Sequence, residues 1–284
     1  MPQTFTQTIT TTLYTFQELL DAEEAGQIDG KAVDKARCWL QEGNNHDSFW
    51  SEDVRDTWKQ ALDQIGFEDA EILFSGFCSQ GDGASFTARP DLEKLVEFLV
   101  TRWQPEPAIT VRKDGKTEEF RPWACSHIGW EGGEKQYAKL ITWYTERDLD
   151  LGLSCTRHTS HYVHWNTCSF EAHLGNISYK QERHYQAAEK LVKEFEERVE
   201  GLRKDLCQEI YKSLEDAYEY INSDPALVET AEANDYLFTA GGRREDPPVE
   251  ENAATPSPDK PALVVPQRPL LDRLRAKRKL VRHG

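Results

Sequence analysis

The sequence predicts an α+β fold, in which an antiparallel sheet packs against N-terminal helices and one long C-terminal amphipathic helix. Three features of the 284 residues point to this fold. Short runs rich in β-branched and aromatic residues are typical of strands. One apolar stripe with helical spacing covers residues 191–221, and a segment with seven prolines follows at 246–269.

The same features predict how the chain is organised. We expect an acidic globular domain at residues 1–242, a disordered proline-rich linker at 243–269 and a basic tail at 270–284. The tail can form a short amphipathic helix, but an isolated helix of that length is marginal in water. We therefore expect it to order only on a partner.

The first elements are predicted from composition and capping patterns. Residues 6–14 are rich in threonine and favour a strand. Thr15 followed by Glu18 forms the capping-box pattern that begins a helix, and a second helix is predicted at 34–41.

The middle of the chain is predicted to alternate helices and strands. A helix is expected to begin after an N-cap at Ser51 and to end at Gly66. Residues 71–78 and 84–88 indicate two strands of a hairpin, and Pro90 is expected to start the next helix. Further strands are predicted at 109–111, 137–145, 149–156 and 162–170, the last two paired as a hairpin around residues 159–160.

The clearest single element is a long helix that begins at a second capping box, Ser178 with Gln181. Its apolar stripe comprises Leu191, Phe195, Val199, Leu202, Leu206, Ile210, Leu214 and Ile221. The stripe has to be covered, either by the sheet of its own chain or by the same helix of a second copy in a homodimer. Residues 223–225 are expected to end this helix and to cap another at 226–233.

The composition of the sequence indicates the cellular compartment in which the protein is expected. We find neither a run of about 18 uncharged apolar residues nor the pattern of a secretory signal, so we expect a cytoplasmic protein with no membrane association. The six cysteines are scattered without a Cys-x-x-Cys pair, which argues against a disulfide framework. We expect most of them to be reduced and buried.

Charge is distributed unevenly along the chain. The formal net charge is −16, yet the residues from Arg243 onward contain ten Lys and Arg against six Asp and Glu. The excess of negative charge therefore lies in residues 1–242. This globular part repels nucleic acid and attracts basic surfaces. This charge predicts a basic partner protein or serves only as a solubilising coat.

A glycine-rich stretch at residues 75–86 is the most distinctive motif. Two glycines flank Asp82, so the backbone can adopt positive φ and bring polar groups to a hairpin tip. The tip would form a binding surface, or a tight turn in which Asp82 bonds its own backbone. The motif does not match a phosphate-binding loop. The predicted surface comprises Ser79, Gln80, Gly81, Asp82, Gly83, Ser85, His161, Tyr162 and His164.

Histidines and cysteines are dense between residues 155 and 173, which raises the hypothesis of a zinc site. As an alternative to a site without metal, the ligands would be Asp82, His158, His164 and Cys168. Alternation along a hairpin argues against it, because His164 and Cys168 share parity with His158 but not with Cys155 or His161. We expect polar and aromatic packing here, and no cofactor.

Several stretches together resemble a family of functionally uncharacterised proteins of phages and prophages. The resemblance covers roughly residues 8–242 and is carried by residues 72–86, 161–164, 215–220, 223–224 and 233–239. Its Ser-Gly-Phe-x-Ser-Gln-Gly-Asp-Gly-Ala motif is specific, whereas Ala88 and the proline-rich tail depart from the family pattern. The resemblance implies a mobile genetic element as the setting and no particular activity.

Three hypotheses about function follow. The first is a non-enzymatic protein that binds and modulates a host protein through its acidic surface, the target belonging to host defence or to nucleic-acid machinery. The second is a metal-dependent hydrolase or nuclease that uses Asp82, Gln80 and the histidines of the 158–164 segment. The third assigns docking on nucleic acid or on a partner to the tail residues Arg273, Arg275, Lys277, Arg278, Lys279 and Arg282.

Overall fold

The computed structural model describes residues 10–46, 49–101, 110–113, 116–119, 133–145, 150–159, 162–175 and 182–246. In chain order the helices and strands of these residues are β1 (Leu13–Tyr14), α1 (Phe16–Glu24), α2 (Gly30–His46), α3 (Phe49–Ile65), β2 (Phe67–Phe74), β3 (Ala84–Pro90), α4 (Leu92–Thr101), β4 (Thr110–Lys113), β5 (Lys116–Glu119), α5 (Gly133–Thr145), β6 (Leu151–Arg157), β7 (Cys168–Leu174), α6 (Glu182–Ile221), α7 (Asp224–Ala233), β8 (Leu237–Thr239) and β9 (Arg244–Glu245). The predicted α+β class, with antiparallel sheets and a long helix, is confirmed.

The chain divides into two compact units. The first comprises residues 1–50 and 218–284, and the second comprises residues 51–217. The linker from residue 247 and the whole basic tail lie outside the described residues, so the predicted bounds of domain, linker and tail stay a prediction. None of the helices in the described ranges has both the length and the apolar character needed to cross a membrane.

The first unit packs α1, α2 and α7 against a small antiparallel sheet. In this sheet β8 lies between β1 and β9, with Leu13 opposite Thr239 and Leu237 opposite Glu245. A core of apolar side chains holds these elements together, and its members are Phe16, Leu19, Val33, Ala36, Leu40, Leu227, Ala231 and Phe238. Of the strand predicted at 6–14, residues 13–14 form β1 and residues 6–9 lie outside the described residues.

The sequence predicts side-chain caps at the starts of α1 and α7, and of these two the structure has the cap of α1. The Thr15 hydroxyl accepts a hydrogen bond from the Glu18 amide at 3.2 Å, and the Glu18 carboxylate accepts one from the Thr15 amide at 2.8 Å. This is the predicted capping box. Ser223 precedes α7 as predicted, but its hydroxyl donates to the carbonyl of Tyr220 at 2.7 Å and makes no cap to α7.

The second unit is built on a four-stranded antiparallel sheet with the order β2, β3, β6, β7. The hairpin of β2 and β3 closes with Phe74 opposite Ala84, so the first strand ends at Phe74 and not at Cys78 as predicted. Strand β2 starts earlier than predicted, because a bulge between Glu68 and Glu71 lets it continue from Phe67. Strands β6 and β7 pair with Cys155 opposite Phe170.

Three sequence predictions for this unit are wrong. Residues 137–145 belong to α5, where Leu140 is buried, so the aromatic and β-branched composition misled the strand prediction. Ser51 lies inside α3 and is buried, so it is no N-cap. Pro90 ends β3, and the first turn of α4 is capped by Asp91, whose carboxylate accepts the Lys94 amide at 2.9 Å.

The hairpin of β6 and β7 is also shifted from its predicted position. Residues 162–170 were expected to be one strand, yet residues 165–167 form a short 3-10 turn and β7 begins at Cys168. The connection is therefore longer than the predicted turn, because Arg157 pairs with Cys168 at the end of the ladder. Within this connection, residues 162–164 contact the loop of the β2–β3 hairpin.

The long helix α6 places its apolar stripe on the sheet of its own chain. The stripe residues from Leu191 to Leu214 are all buried, and the rings of Phe195 and Phe170 meet at 5.8 Å. The sheet thus provides the cover that the stripe requires. The predicted capping box at Ser178 and Gln181 lies outside the described residues, and the homodimer stays a prediction.

Candidate functional site

The predicted binding surface is built on the loop between β2 and β3. At its base, the Ser75 amide donates to the Gly83 carbonyl at 3.0 Å, and the Gly83 amide donates to the Ser75 hydroxyl at 3.1 Å. Within the loop, the Asp82 amide donates to the Ser79 carbonyl at 3.1 Å. These bonds close residues 75–83 into a compact turn at the end of the hairpin, which we call the Asp82 loop.

The carboxylate of Asp82 is directed at its own loop. Its Oδ2 accepts hydrogen bonds from the amides of Ser79 at 2.7 Å and Cys78 at 2.8 Å. The bond from the Ser79 amide is the main reason that the pKa of Asp82 lies below its ordinary value, and the hydroxyls of Ser79 and Ser75 add to it against the effect of burial. Asp82 is therefore ionised at neutral pH and fixes the shape of the loop.

The glycines that flank Asp82 serve close packing, not the positive φ that we predicted for them. Among the described residues, the glycines at positive φ are Gly26, Gly66 and Gly242, so the prediction is wrong for Gly81 and Gly83. A methyl group on Gly81 would lie 3.3 Å from Cδ1 of Tyr162, and one on Gly83 would lie 2.9 Å from Cδ2 of His164. Larger residues would push the loop away from the segment that carries these two rings.

The segment at residues 162–164 completes this surface. The Val163 carbonyl accepts the Ser75 hydroxyl at 3.4 Å, and the Tyr162 carbonyl accepts Nη2 of Arg157 at 2.8 Å. The side chain of Tyr162 projects outward, and the residue is 60% exposed. Two loop residues, Ser79 and Gln80, are also exposed.

The structure thus brings together most of the residues predicted for the surface. Ser79, Gln80, Gly81, Asp82, Gly83, Tyr162 and His164 meet at one end of the sheet, whereas His161 lies outside the described residues. Ser85 stands apart because it is fully buried, so it cannot contact a partner there. Its hydroxyl has no hydrogen-bond partner among the residues described.

Helix α6 contributes residues that the sequence analysis missed. The Tyr211 hydroxyl donates to the Gly76 carbonyl at 3.0 Å, and its ring lies 5.4 Å from the ring of Phe77. Burial raises the pKa of Tyr211, and the charges of Glu215 and Asp82 raise it further. Tyr211 lies outside the apolar stripe, so no local pattern in the sequence marked it.

The described residues contain no group of three or more His, Cys, Asp and Glu side chains that could hold a metal ion. Asp82, His158, His164 and Cys168 accordingly do not form one. The predicted parity of the hairpin is also wrong, because Cys155 faces Phe170 across the ladder and Cys168 lies two residues from Phe170. Cys155 and Cys168 therefore share a face, since strand register and not chain numbering sets the face across a hairpin.

A second cluster of polar groups, also missed by the sequence analysis, lies between α6 and the sheet. Arg203 is fully buried, and its Nη1 donates to Sγ of Cys207 at 3.6 Å. The thiol of Cys155 donates to the Phe86 carbonyl at 3.7 Å. Burial raises the pKa of both Cys155 and Cys207 to about 12, so these thiols stay protonated and unreactive at neutral pH. We assign this cluster to packing.

Comparisons with known proteins show the family to which the chain belongs. Searches of curated proteins and of solved structures found no match. A family model described as "Domain of unknown function (DUF8835)" matches residues 50–224, which include the Asp82 loop, the 162–164 segment and all of α6. Because this match covers more than half of the chain, the protein belongs to the DUF8835 family.

Proposed function

We propose that this protein is a non-enzymatic binding protein of a phage or other mobile element, which binds and modulates a host protein in the host cytoplasm. The observation that carries the proposal is the orientation of the Asp82 carboxylate. Its Oδ2 bonds the amides of Cys78 and Ser79, so the carboxylate stabilises the loop. A loop held in one shape loses little entropy on binding, which favours recognition.

The surface around the Asp82 loop suits a protein partner. Ser79 and Gln80 are exposed at its tip, and Tyr162 presents a large ring beside them. Exposed tyrosines are frequent anchors of protein interfaces because they offer contact area with few rotatable bonds. The polar groups around the ring can form the hydrogen-bonding rim of such an interface.

The charge of the chain indicates the kind of partner. With a formal net charge of −16, the protein attracts basic surfaces such as those of nucleic-acid-binding proteins. Proteins that bind nucleic acid carry such surfaces, because their Lys and Arg side chains contact the phosphates. We therefore propose a basic host protein as the partner, bound with an affinity that falls as salt rises.

The experiment that tests this proposal compares two exposed glutamines of the same unit, Gln80 in the loop and Gln60 on α3. The full chain, immobilised, is used to capture proteins from host lysate, and captured protein is identified by mass spectrometry. We expect one stoichiometric partner, lost with Gln80→Lys and retained with Gln60→Lys, whose capture weakens as salt is raised tenfold from about 0.05 M.

Two results would contradict the proposal. One is capture that is insensitive to salt and equal for both variants. The other is turnover of a substrate by the purified protein that disappears in Asp82→Ala, since this would make the loop a reaction centre.

A further inference from the structure

Two aromatic rings of the first unit hold a cation between them. The ring of Trp39 on α2 and the ring of Tyr236 before β8 meet at 5.0 Å and at 82° to each other. The guanidinium carbon of Arg244 lies 5.2 Å from the centre of the Trp39 ring and 4.8 Å from that of Tyr236. At both distances a cation is attracted to the face of an aromatic ring. We call the two rings the aromatic corner.

The aromatic corner is built into the packing of the unit. Trp39 and Tyr236 are half-buried, and both pack against the apolar core that the first unit forms. The Trp39 ring also lies 6.0 Å from the ring of Phe238, which is fully buried. The rings therefore do not have to be ordered when a cation binds, which lowers the entropic cost of binding.

Arg244 belongs to β9, a strand of only two residues. Before β9, the backbone of Gly242 approaches α2 so closely that a methyl group there would overlap the carbonyl oxygen of Ala32. Ala32 precedes Trp39 by seven residues, so the two lie two helical turns apart on the same face of α2. The ring contacts of Arg244 thus provide a second point at which the hairpin of β8 and β9 is held on α2.

We infer that Arg244 is a latch, whose guanidinium in the aromatic corner keeps β9 on the first unit. A strand of two residues is too short to be stable by its own pairing. The tail residues 270–284 follow β9 in the chain, so the latch fixes the point of the first unit from which the chain continues toward them. The inference does not depend on the proposed function, because the Asp82 loop belongs to the second unit.

The chemistry of arginine suits this place. A planar guanidinium can lie against a ring while its N–H groups keep other partners, and Nη2 of Arg244 donates to Asp246 at 2.6 Å. Arg243 carries the same charge one residue earlier. Its guanidinium pairs with Glu245, and no ring among the described residues contacts it. Two adjacent arginines therefore differ in the one contact that the latch requires, which gives a matched pair of variants.

Hydrogen exchange in the full chain tests the latch. The Thr239 amide donates to the Arg243 carbonyl at 2.9 Å, and the Leu237 amide points to the same side of β8, toward β9. In Arg244→Ala we expect both amides to exchange about tenfold faster, because two ring contacts are lost. The Leu227 amide, which is hydrogen-bonded at the start of α7, reports on the rest of the unit and should keep its rate.

Two further variants separate the latch from a general effect of charge. Arg243→Ala removes the same charge and should change the exchange of the Leu237 amide by less than about twofold. Arg244→Lys keeps the charge without the planar group, so its exchange rate should lie between those of wild type and Arg244→Ala. Equal acceleration in Arg243→Ala and Arg244→Ala, or an equal acceleration at Leu227, would overturn the inference.

Small cations test the aromatic corner itself. Ethylguanidinium and ethylammonium have equal charge, but only ethylguanidinium has the planar group of arginine. At millimolar concentration, ethylguanidinium should shift the indole N–H signal of Trp39 in Arg244→Ala and ethylammonium should shift it less. Wild type should show neither shift, because Arg244 occupies the corner at a high effective concentration. The same shift in wild type, or none in the variant, would contradict the latch.

Discussion

The guanidinium of Arg203 and the carboxylate of Glu200 form a two-point ion pair on the buried side of α6, with Nε to Oε2 at 2.7 Å and Nη2 to Oε1 at 2.8 Å. Oε2 of Glu200 also accepts the amide of Phe170 at 2.9 Å. A second carboxylate of α6, that of Glu196, accepts the amide of Ala172 at 3.4 Å. Two carboxylates of α6 thus satisfy outward-pointing amides of β7, as a neighbouring strand would.

Arg203→Met is expected to destabilise the protein strongly. The Arg203 side chain is fully buried and Glu200 is 21% exposed, so the substitution leaves a largely buried carboxylate without its partner. We expect a loss of about 3 kcal/mol in the free energy of unfolding, measured by urea denaturation. Lys204→Met removes a more exposed cation from the same carboxylate and should cost less than about 0.5 kcal/mol. Equal losses would contradict the role given to Arg203.

Glu200 is expected to make stability depend on pH. Burial acts to raise its pKa, but the hydrogen bonds from Arg203 and from the Phe170 amide outweigh burial, so the pKa lies below the ordinary value of 4.5. As pH falls through 4.5, the unfolded chain takes up the proton first, and the contribution of Glu200 is lost progressively down to its folded pKa. The difference in unfolding free energy between wild type and Glu200→Gln should therefore be largest at neutral pH and shrink in acid. A constant difference would contradict this assignment.

Asp82→Asn is expected to loosen its loop without unfolding the sheet. A neutral amide accepts hydrogen bonds more weakly than a carboxylate, so the amides of Cys78 and Ser79 lose their charge-assisted acceptor. We expect the hydrogen exchange of these two amides to accelerate about fivefold or more. Exchange at Leu73, which pairs with Ser85 in the hairpin ladder, should stay unchanged as the internal control. Faster exchange at Leu73 as well would indicate a general loss of stability.

Gly242→Ala is expected to destabilise the first unit. Gly242 has a φ of +71°, and a methyl group there would overlap the carbonyl oxygen of Ala32. Backbone strain and this clash should together cost roughly 2 kcal/mol or more of unfolding free energy. Gly241→Ala is the control, because a methyl group on Gly241 would meet only the Thr239 hydroxyl at 3.8 Å. Thermal unfolding of both variants gives the comparison, and equal midpoints would refute it.

The five cysteines within the described ranges are expected to fall into two reactivity classes. Cys38 and Cys78 are exposed, whereas Cys155, Cys168 and Cys207 are buried. Burial raises the pKa of Cys155 and Cys207 to about 12, which removes the reactive thiolate at neutral pH. Alkylation followed by mass spectrometry should therefore modify Cys38 and Cys78 first, and the buried thiols only in denaturant. Rapid labelling of Cys207 in the native protein would contradict this.

Elements with a strong local signal could be predicted from the sequence. The capping box of Thr15 and Glu18, the strands on either side of the Asp82 loop, and the buried stripe of α6 were all predicted from residues near each other in the chain. Caps act within one turn, and the periods of helix and strand repeat every few residues. The sequence by itself therefore determined the fold class and the position of the candidate surface.

Only the tertiary structure decided which residues from distant parts of the chain lie close together. Tyr211 reaches Gly76 across 135 positions of the chain, and Cys155 and Cys168 share a face because of the register between β6 and β7. The glycines beside Asp82 are needed because the rings of Tyr162 and His164 pack against them. These contacts depend on how separate elements pack, and neighbouring residues in the sequence carry no signal for packing between distant parts of the chain.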